Sequence, residues 1–272
     1  MMKKSVVTAN YVTRVFGYHP PQPFDWGVCD RATQERFSSP GWQKEWKAIC
    51  EETVGVGLQA IEVWTAHLPY QRVDESHMRE FAKITADYGL TVSAYAGWIG
   101  GPDNSRASFE KACLTVRTIG APYVQGGLAW NKLDVALPVL REYGVRVTIE
   151  NHPGMETPDQ MLKQIAADPE WIGAGPDTGW FGVVGADAAA AIRQLGKHVW
   201  HVHWKDMKAV GSHDSCAMGY GVVGLDRVLD ALKEIGYQGY LSLEHEPAEG
   251  DPLPDVRKGL EWLTEHESKA TA

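Results

Sequence analysis

The sequence lacks the run of about 18 apolar residues that a membrane-spanning helix requires, so no membrane span is expected. Its basic start is followed by an apolar stretch of only a few residues, which is too short for a secretory signal. Cysteine is scarce, and Cys29, Cys50, Cys113 and Cys216 lie far apart without a CxxC pair. That spacing argues against a disulfide framework. The cytoplasm is therefore the expected location.

Blocks of lysine or arginine are also missing, and the formal net charge is −9 over 272 residues. Such a surface repels nucleic acid and anionic membranes, so neither is expected as a partner. With 44% hydrophobic and 22% charged residues, the composition is that of a globular protein. No linker or low-complexity tract marks a boundary, so we expect a single domain over residues 1–272.

Short β-rich runs alternate with amphipathic helical stretches along the chain. The predicted strands fall at residues 5–9, 60–64, 91–96, 123–126, 145–150, 171–175, 199–204 and 239–244. The predicted helices fall near residues 42–54, 75–88, 105–119, 132–143, 158–167, 186–196, 225–235 and 255–266. This order predicts an α/β fold with a parallel sheet, and eight units favour a closed (β/α)8 TIM barrel over an open sheet. Residues 10–40 and 207–223 are predicted to be long loops, either binding loops or plain surface excursions.

Several predicted strands alternate polar and apolar residues, although buried parallel strands are normally apolar throughout. Residues 145–150 and 200–205 show this alternation, and Glu62 stands in a third such strand. A period of two places the apolar side chains, such as Trp204, against the helices and the polar ones inside the barrel. Unpaired charges there are costly, so we expect these groups to be ion-paired or bound to a metal.

Four polar residues stand at or near the carboxyl ends of predicted strands five to eight: Glu150, Asp177, His203 and Glu244. Active sites of barrels form at that end, and neighbouring strands about 4.8 Å apart can direct four side chains to one point. Three carboxylates and an imidazole suit Mn²⁺, Mg²⁺ or Co²⁺ better than a thiolate-type zinc site does. We predict one divalent metal ion, with Mn²⁺ favoured and Mg²⁺, Co²⁺ or Zn²⁺ as alternatives. Four separate ion-paired core groups are the competing interpretation.

The motifs around these residues resemble a known family. They read Thr148-Ile-Glu-Asn-His152, Gly175-Pro-Asp-Thr-Gly179, His201-Val-His-Trp-Lys-Asp206 and Leu243-Glu-His-Glu246. Their order and strand context are similar to those of the xylose-isomerase-like TIM-barrel superfamily, the sugar phosphate isomerase/epimerase family. The resemblance runs over most of the chain. It implies the barrel fold and metal binding by the same four residues.

The resemblance implies a metal-dependent sugar isomerase or epimerase whose partner is a small-molecule ketose or keto-sugar. In the family's ketose epimerases, the residues that correspond to Glu150 and Glu244 move the proton alpha to the carbonyl, through a metal-stabilised enediolate. One carboxylate removes the proton and the other returns it from the opposite face. The sequence leaves open which glutamate is the base, which sugar is bound, and whether the chain forms a homo-oligomer.

Two positions depart from the ketose epimerases, which carry substrate-binding histidine and arginine where this chain has Trp180 and Ala209. The departures favour an alternative, a metal-dependent lyase or dehydratase similar to inosose dehydratases or C-glycoside deglycosidases. Such an enzyme acts on a keto-cyclitol or keto-sugar glycoside and expels a leaving group after the same proton removal. A DNA-repair endonuclease of this superfamily would need more histidines and a basic surface. A non-catalytic sugar-binding protein would not need both Glu150 and Glu244.

Eight further residues are predicted to contact the substrate, some by position near strand ends and some by correspondence with the family. They are Glu62, His67, Trp98, His152, Glu156, Trp180, His201 and Lys205. Each also has a structural interpretation. Core packing would explain the tryptophans, a hydrogen-bonded core position would explain His201, and an ion pair with Asp206 would explain Lys205.

Overall fold

A ring of parallel strands forms the centre of the molecule. The structure is a computed structural model that describes residues 2–269. The described strands are β1 (Lys3–Val7), β2 (Ala60–Trp64), β3 (Thr91–Ile99), β4 (Tyr123–Leu128), β5 (Arg146–Ile149), β6 (Ile172–Ala174), β7 (Val202–Met207), β8 (Ser215–Cys216) and β9 (Tyr240–Glu244). The two-residue β8 pairs antiparallel with β7 and belongs to the loop that follows it.

The parallel strands close on themselves. Hydrogen-bonded neighbours run in the order β6-β5-β4-β3-β2-β1-β9-β7, with β8 beyond β7. The two ends of this order meet through parallel bridges between Ala174 and Val199 and between Asp177 and His203. The predicted barrel is therefore confirmed, and its last closing bridge joins two of the predicted metal ligands.

Helices surround the barrel. The described helices are α1 (Trp26–Phe37), α2 (Trp42–Gly55), α3 (Glu75–Asp87), α4 (Arg106–Thr118), α5 (Leu133–Tyr143), α6 (Pro158–Ile165), α7 (Thr178–Val183), α8 (Ala188–Leu195), α9 (Leu225–Glu234) and α10 (Leu253–Lys269). None of the helices within residues 2–269 is both long and apolar enough to cross a membrane.

Two of these helices were not predicted. Helix α1 lies inside residues 10–40, which were predicted to be a long loop, so that prediction was wrong for this segment. Asp25 is the N-cap of α1 and accepts a hydrogen bond from the Val28 amide, but the helix buries only Cys29, Thr33 and Phe37. So narrow an apolar stripe gives little helical periodicity in the sequence. Helix α7 has only six residues, too few for a periodic pattern.

The predicted division of the strands into two faces is confirmed. Trp204 is fully buried on the outer face, and its ring centroid lies 6.5 Å from that of Trp262 in α10. Polar side chains fill the inside, where the hydroxyl of Thr148 hydrogen-bonds the Gln125 amide oxygen and Gln125 Nε2 donates to the Gly175 carbonyl at 2.8 Å. The barrel interior is thus a polar network that leads to the carboxyl ends of the strands.

Candidate active site

The four predicted metal ligands lie together at the carboxyl end of the barrel. Glu150 directly follows β5, Asp177 is the N-cap of α7, His203 lies in β7 and Glu244 ends β9. All four are buried. One ligand atom each of Glu150, Asp177 and His203 lies within 4.8 Å of the others, and Glu244 Oε2 is 2.8 Å from His203 Nδ1.

Asp177 is held in place by backbone groups and by Asn151. Asp177 Oδ1 accepts hydrogen bonds from the amides of Gly179 at 2.6 Å and Trp180 at 3.3 Å. The Asn151 side chain bonds the backbone of Asp177 twice, accepting from its N–H at 2.7 Å and donating to its carbonyl at 3.0 Å. These contacts fix the carboxylate and leave Asp177 Oδ2 for another partner. Asn151 was missed as a positioning residue, although it directly follows a predicted ligand.

Three buried atoms of this cluster have no hydrogen-bond partner among the described residues: Asp177 Oδ2, His203 Nδ1 and Glu244 Oε2. The last two are close but not aligned for a hydrogen bond. Buried polar atoms without partners are rare and costly in native structures. Two carboxylate oxygens and an imidazole nitrogen directed to one region are the donor set of a hard divalent cation. The residues therefore fit the predicted metal ion.

A carboxylate beneath the site orients the predicted histidine ligand. Glu62 Oε1 lies 2.9 Å from His203 Nε2, and Glu62 Oε2 lies 2.7 Å from His201 Nε2. Because an ionised carboxylate only accepts hydrogen bonds, Nε2 of His203 carries a proton, and in the neutral imidazole Nδ1 therefore keeps its lone pair. Carboxylates behind metal-binding histidines act in this way. The charges of both imidazoles outweigh burial and hold the pKa of Glu62 well below its usual range.

Replacing Glu62 with glutamine is expected to weaken Mn²⁺ binding by about 10- to 100-fold, the usual effect of losing a partner of this kind. A neutral amide no longer fixes the protons of both His201 and His203. Calorimetric titration of metal-depleted protein measures the affinity. Glu80→Gln, at an exposed position in α3, is the matched control. Equal affinity in the two variants would show that Glu62 has no such role.

Lys205 lies among carboxylates rather than beside Asp206. Its Nζ is 2.8 Å from Glu246 Oε2, 3.2 Å from Glu244 Oε1 and 3.6 Å from Asp177 Oδ2. The expected alternative of an ion pair with Asp206 is therefore wrong. Asp206 instead accepts hydrogen bonds from backbone amides of the loop after β7, at residues Gly219, Gly221 and Val223.

Burial and neighbouring charges shift the pKa values of Asp177, Glu150 and Glu244 in different directions. Burial, with repulsion from Glu244 and Glu150, raises the pKa of Asp177 to about 7 despite the attraction of Lys205. Burial alone would also raise the pKa of Glu150, but His152 and His203 outweigh it and hold that pKa well below the usual range. For Glu244, His203 and Lys205 outweigh burial and lower the pKa. The two glutamates are therefore ionised at neutral pH and able to accept a proton.

A cavity of about 730 Å³ opens onto these groups. Its lining includes seven residues predicted as ligands or substrate contacts: Trp98, Glu150, His152, Trp180, His203, Lys205 and Glu244. His152 Nε2 lies 3.1 Å from Glu150 Oε1, and its ring centroid is 4.9 Å from that of Trp180. Glu246 and α1 residues also line the cavity and were missed. Glu246 could have been predicted, because a period of two places it on the same side of the chain as Glu244.

Four predicted substrate contacts lie outside this lining, and His201 takes the hydrogen-bonded core position that was its alternative interpretation. Glu62 and His201 are fully buried beneath His203, and His201 Nδ1 lies 3.0 Å from the Tyr123 hydroxyl. His67 is buried, with Nδ1 3.0 Å from Thr8 Oγ1. Glu156 is exposed and accepts a hydrogen bond from the Gly154 amide at 3.1 Å. Strand periodicity gives the direction of a side chain but not its depth, and loop positions carry no periodicity.

His67 is expected to make the protein less stable in mild acid. Burial, with Arg14 nearby, lowers the pKa of His67 to about 3, whereas a histidine in the unfolded chain titrates near ~6.5. Between these values only the unfolded chain binds the proton. The contribution of His67 to the free energy of unfolding is therefore highest above the unfolded pKa. It decreases as the pH is lowered, by about 1 kcal/mol from pH ~7.5 to ~5.5.

Urea unfolding of the wild type and His67→Gln at both pH values measures this contribution. The variant should lose less stability on acidification, by about the same 1 kcal/mol. His213→Gln, at an exposed histidine, should keep the wild-type difference. Identical pH dependence in the wild type and His67→Gln would contradict the assignment.

Comparison with known proteins places the chain in a family. The sequence profile described as xylose isomerase-like TIM barrel matches residues 50–266. The chain therefore belongs to the xylose isomerase-like TIM-barrel family, as the motifs predicted. L-ribulose-5-phosphate 3-epimerase UlaE of Escherichia coli O157:H7 (strain EC4115 / EHEC) is 32% identical over 252 residues, which are 88% of this chain and 83% of UlaE. For two other curated relatives the matched region is shorter, and the chain spans only 47% and 44% of their lengths.

Solved structures share the fold at lower identity. An L-ribulose 3-epimerase superposes with a TM-score of 0.72 at 18% identity, covering 100% of this chain and 96% of that one. The probable 3-DHS dehydratase AsbF from Bacillus anthracis superposes with a TM-score of 0.70 at 15% identity, covering 97% and 99%. At such identities these similarities establish the barrel and nothing about the reaction.

Proposed function

We propose that the protein is a divalent-metal-dependent enzyme that removes the proton alpha to the carbonyl of a ketose or keto-sugar and acts as an isomerase or epimerase. The observation that carries the proposal is the convergence of Glu150, Asp177, His203 and Glu244 at the carboxyl end of the barrel, where three buried atoms lack a hydrogen-bond partner. Glu150, His203 and Glu244 also line the cavity. The similarity to UlaE, whose name is that of a sugar epimerase, supports the same class of reaction.

The same four residues would hold the metal ion. When bound, a divalent ion supplies a Lewis acid that polarises the substrate carbonyl and stabilises the charge that develops on proton removal. Buried Glu62 keeps His203 in the tautomer that leaves Nδ1 available. The pKa of Asp177, raised by burial and by repulsion from Glu244 and Glu150, fits a carboxylate that needs a nearby positive charge.

The two glutamates provide the acid and base groups. Both are ionised and both line the cavity. Glu150 follows β5 and Glu244 ends β9, and these strands lie on different sides of β7 around the barrel. Each has a cationic neighbour. His152 Nε2 lies 3.1 Å from Glu150 Oε1, and Lys205 Nζ lies 3.2 Å from Glu244 Oε1. Two carboxylates with proton donors beside them suit a reaction that takes a proton from one face of a carbon and returns it to the other.

The cavity favours a substrate without a phosphate group. Lys205 is the only lysine or arginine that lines it within residues 2–269, and three carboxylates already surround the Lys205 ammonium. Asp30, Glu150, Glu244 and Glu246 add negative charge to the lining. A phosphate group would therefore meet repulsion without a free cation to bind it. The substrate of this chain differs in this respect from the 5-phosphate in the name of UlaE.

A lyase or dehydratase is the second candidate, because Trp180 lines the cavity where ketose epimerases have a substrate-binding histidine. The indole offers one donor, its Nε1–H, and no acceptor, whereas a histidine ring can offer both. The contact with the substrate therefore differs from that in ketose epimerases, which favours a substrate that loses a substituent after the proton is removed. The residues that take the proton are the same in both reactions.

Incubation with unphosphorylated ketoses and keto-glycosides in D₂O with Mn²⁺ tests the proposal. NMR should show deuterium entering at the carbon next to the carbonyl, with epimer formation for an epimerase or an absorbing enone product for a lyase. Glu249→Gln, at an exposed pair with His19, is a control that should exchange like the wild type. Absence of exchange from every substrate at saturating metal would contradict the function.

A further inference from the structure

Helix α1 contributes a row of side chains to the cavity. Trp26, Asp30 and Gln34 are spaced four residues apart, which places them on one face of the helix, and all three line the cavity. Gln34 Nε2 donates to Asp30 Oδ2 at 2.8 Å. This bond orders both side chains and leaves Asp30 Oδ1 and Gln34 Oε1 as acceptors for a ligand.

Two partly exposed tryptophans, Trp26 on the same helix and Trp98 after Gly97 in β3, also line the cavity. Trp26 and Trp98 are 38% and 54% exposed, whereas Glu150, His203 and Glu244 are 8% exposed or less. The exposed rings therefore lie toward solvent and the predicted metal ligands lie at depth. Trp26 is held by an edge-to-face contact with Trp64, with centroids 4.8 Å apart. Large apolar rings so exposed at a cavity mouth mark a binding surface.

The cavity is larger than a single sugar ring needs. A hexose fills about 200 Å³ at interior packing density, and the cavity holds about 730 Å³. This volume lies in the range of roughly 300–1,000 Å³ that buries drug-sized ligands. One sugar ring at the buried carboxylates would leave space beside the tryptophans for a second ring.

We propose that Trp26, Asp30, Gln34 and Trp98 form an outer subsite that binds a second ring attached to the reacting sugar. The ligand of this subsite is a ring with a flat face for the tryptophans and hydroxyl donors for Asp30 and Gln34. The substrate is accordingly a keto-sugar glycoside rather than a free monosaccharide. The second ring is either another sugar or a phenolic group, which share this chemistry. The inference rests on the proposed function, which places the reacting ring at the buried carboxylates.

Affinities for glycosides of one keto-hexose that differ only in the attached group test the proposal. Methyl, phenyl, 4-hydroxyphenyl and glucosyl glycosides are titrated calorimetrically into the Mn²⁺-loaded protein. Stacking and a hydrogen bond together should make at least one of the two hydroxylated-ring ligands bind about tenfold tighter than the methyl glycoside. Which of the two gains affinity distinguishes a phenol from a second sugar.

Variants separate the outer subsite from the rest of the cavity. Trp98→Ala and Gln34→Leu should each reduce the ratio of hydroxylated-ring to methyl affinity by several-fold. Tyr220→Ala is the control, because Tyr220 is an exposed residue that contacts Lys258 and does not line the cavity. The ratio of affinities in this variant should match that of the wild type. Equal affinities across the four ligands would overturn the subsite. Equal affinities for the phenyl and hydroxylated rings would overturn the role of Asp30 and Gln34.

Deuterium exchange measured on the same samples keeps the two proposals apart. Tighter binding of the hydroxylated-ring glycosides without exchange would support the outer subsite and contradict the proposed reaction. Exchange that is equally fast for the methyl glycoside, with no difference in affinity, would support the reaction and overturn the outer subsite.

Discussion

Glu244→Gln is expected to lower turnover by about a thousandfold or more while the protein stays folded. The change removes a carboxylate that is ionised at neutral pH and lies 2.8 Å from His203 Nδ1. It removes a predicted metal ligand and a proton acceptor together. Lys205 keeps its contact with Glu246 at 2.8 Å, so the substitution leaves no buried charge without a partner.

Rates of substrate deuterium exchange and product formation measure this effect, and circular dichroism shows whether the variant is folded. Glu249→Gln is the matched control, since Glu249 is an exposed glutamate that forms an ion pair with the exposed His19 ring. Normal turnover in folded Glu244→Gln protein would refute the assigned role of Glu244.

Removing the divalent metal is expected to suppress turnover by about a thousandfold or more, because Lewis-acid stabilisation of the developing charge supplies several kcal/mol. The groups around Asp177 cannot replace it. The imidazole of His203 and the ammonium of Lys205 are already engaged by Glu62, Glu244 and other carboxylates. Activity should return when Mn²⁺ is added back.

Chelation, followed by elemental analysis and titration with Mn²⁺, checks this expectation. Circular dichroism of the metal-depleted protein separates loss of the metal from unfolding of the barrel. Full turnover in protein shown to contain less than stoichiometric metal would contradict the proposed chemistry. It would leave the barrel fold untouched.

The convergence of the four predicted metal ligands could be predicted because three of them obey strand periodicity. Glu150, His203 and Glu244 follow the alternation of their strands, and parallel strands bring their carboxyl ends to one rim. Asp177 lies past its strand, yet the short connection from β6 to α7 kept it at the same rim. Neighbouring strands then place the four groups together without any information about loops.

The inner carboxylate and the outer subsite were harder to predict for different reasons. Periodicity showed that Glu62 and His201 face the inside of the barrel but not that they lie beneath His203, because depth depends on the register between strands. Helix α1 has a narrow buried stripe and several exposed residues, so its sequence looks like a loop. Its contribution of Trp26 to the cavity depends on tertiary packing, which no local pattern encodes.

Anomalous diffraction from crystals grown with Mn²⁺ tests the central claim most directly. We expect one strong peak coordinated by Glu150, Asp177, Glu244 and the Nδ1 atom of His203. No peak at these residues, or a peak bound instead by the buried group of Glu62 and His201, would contradict the account.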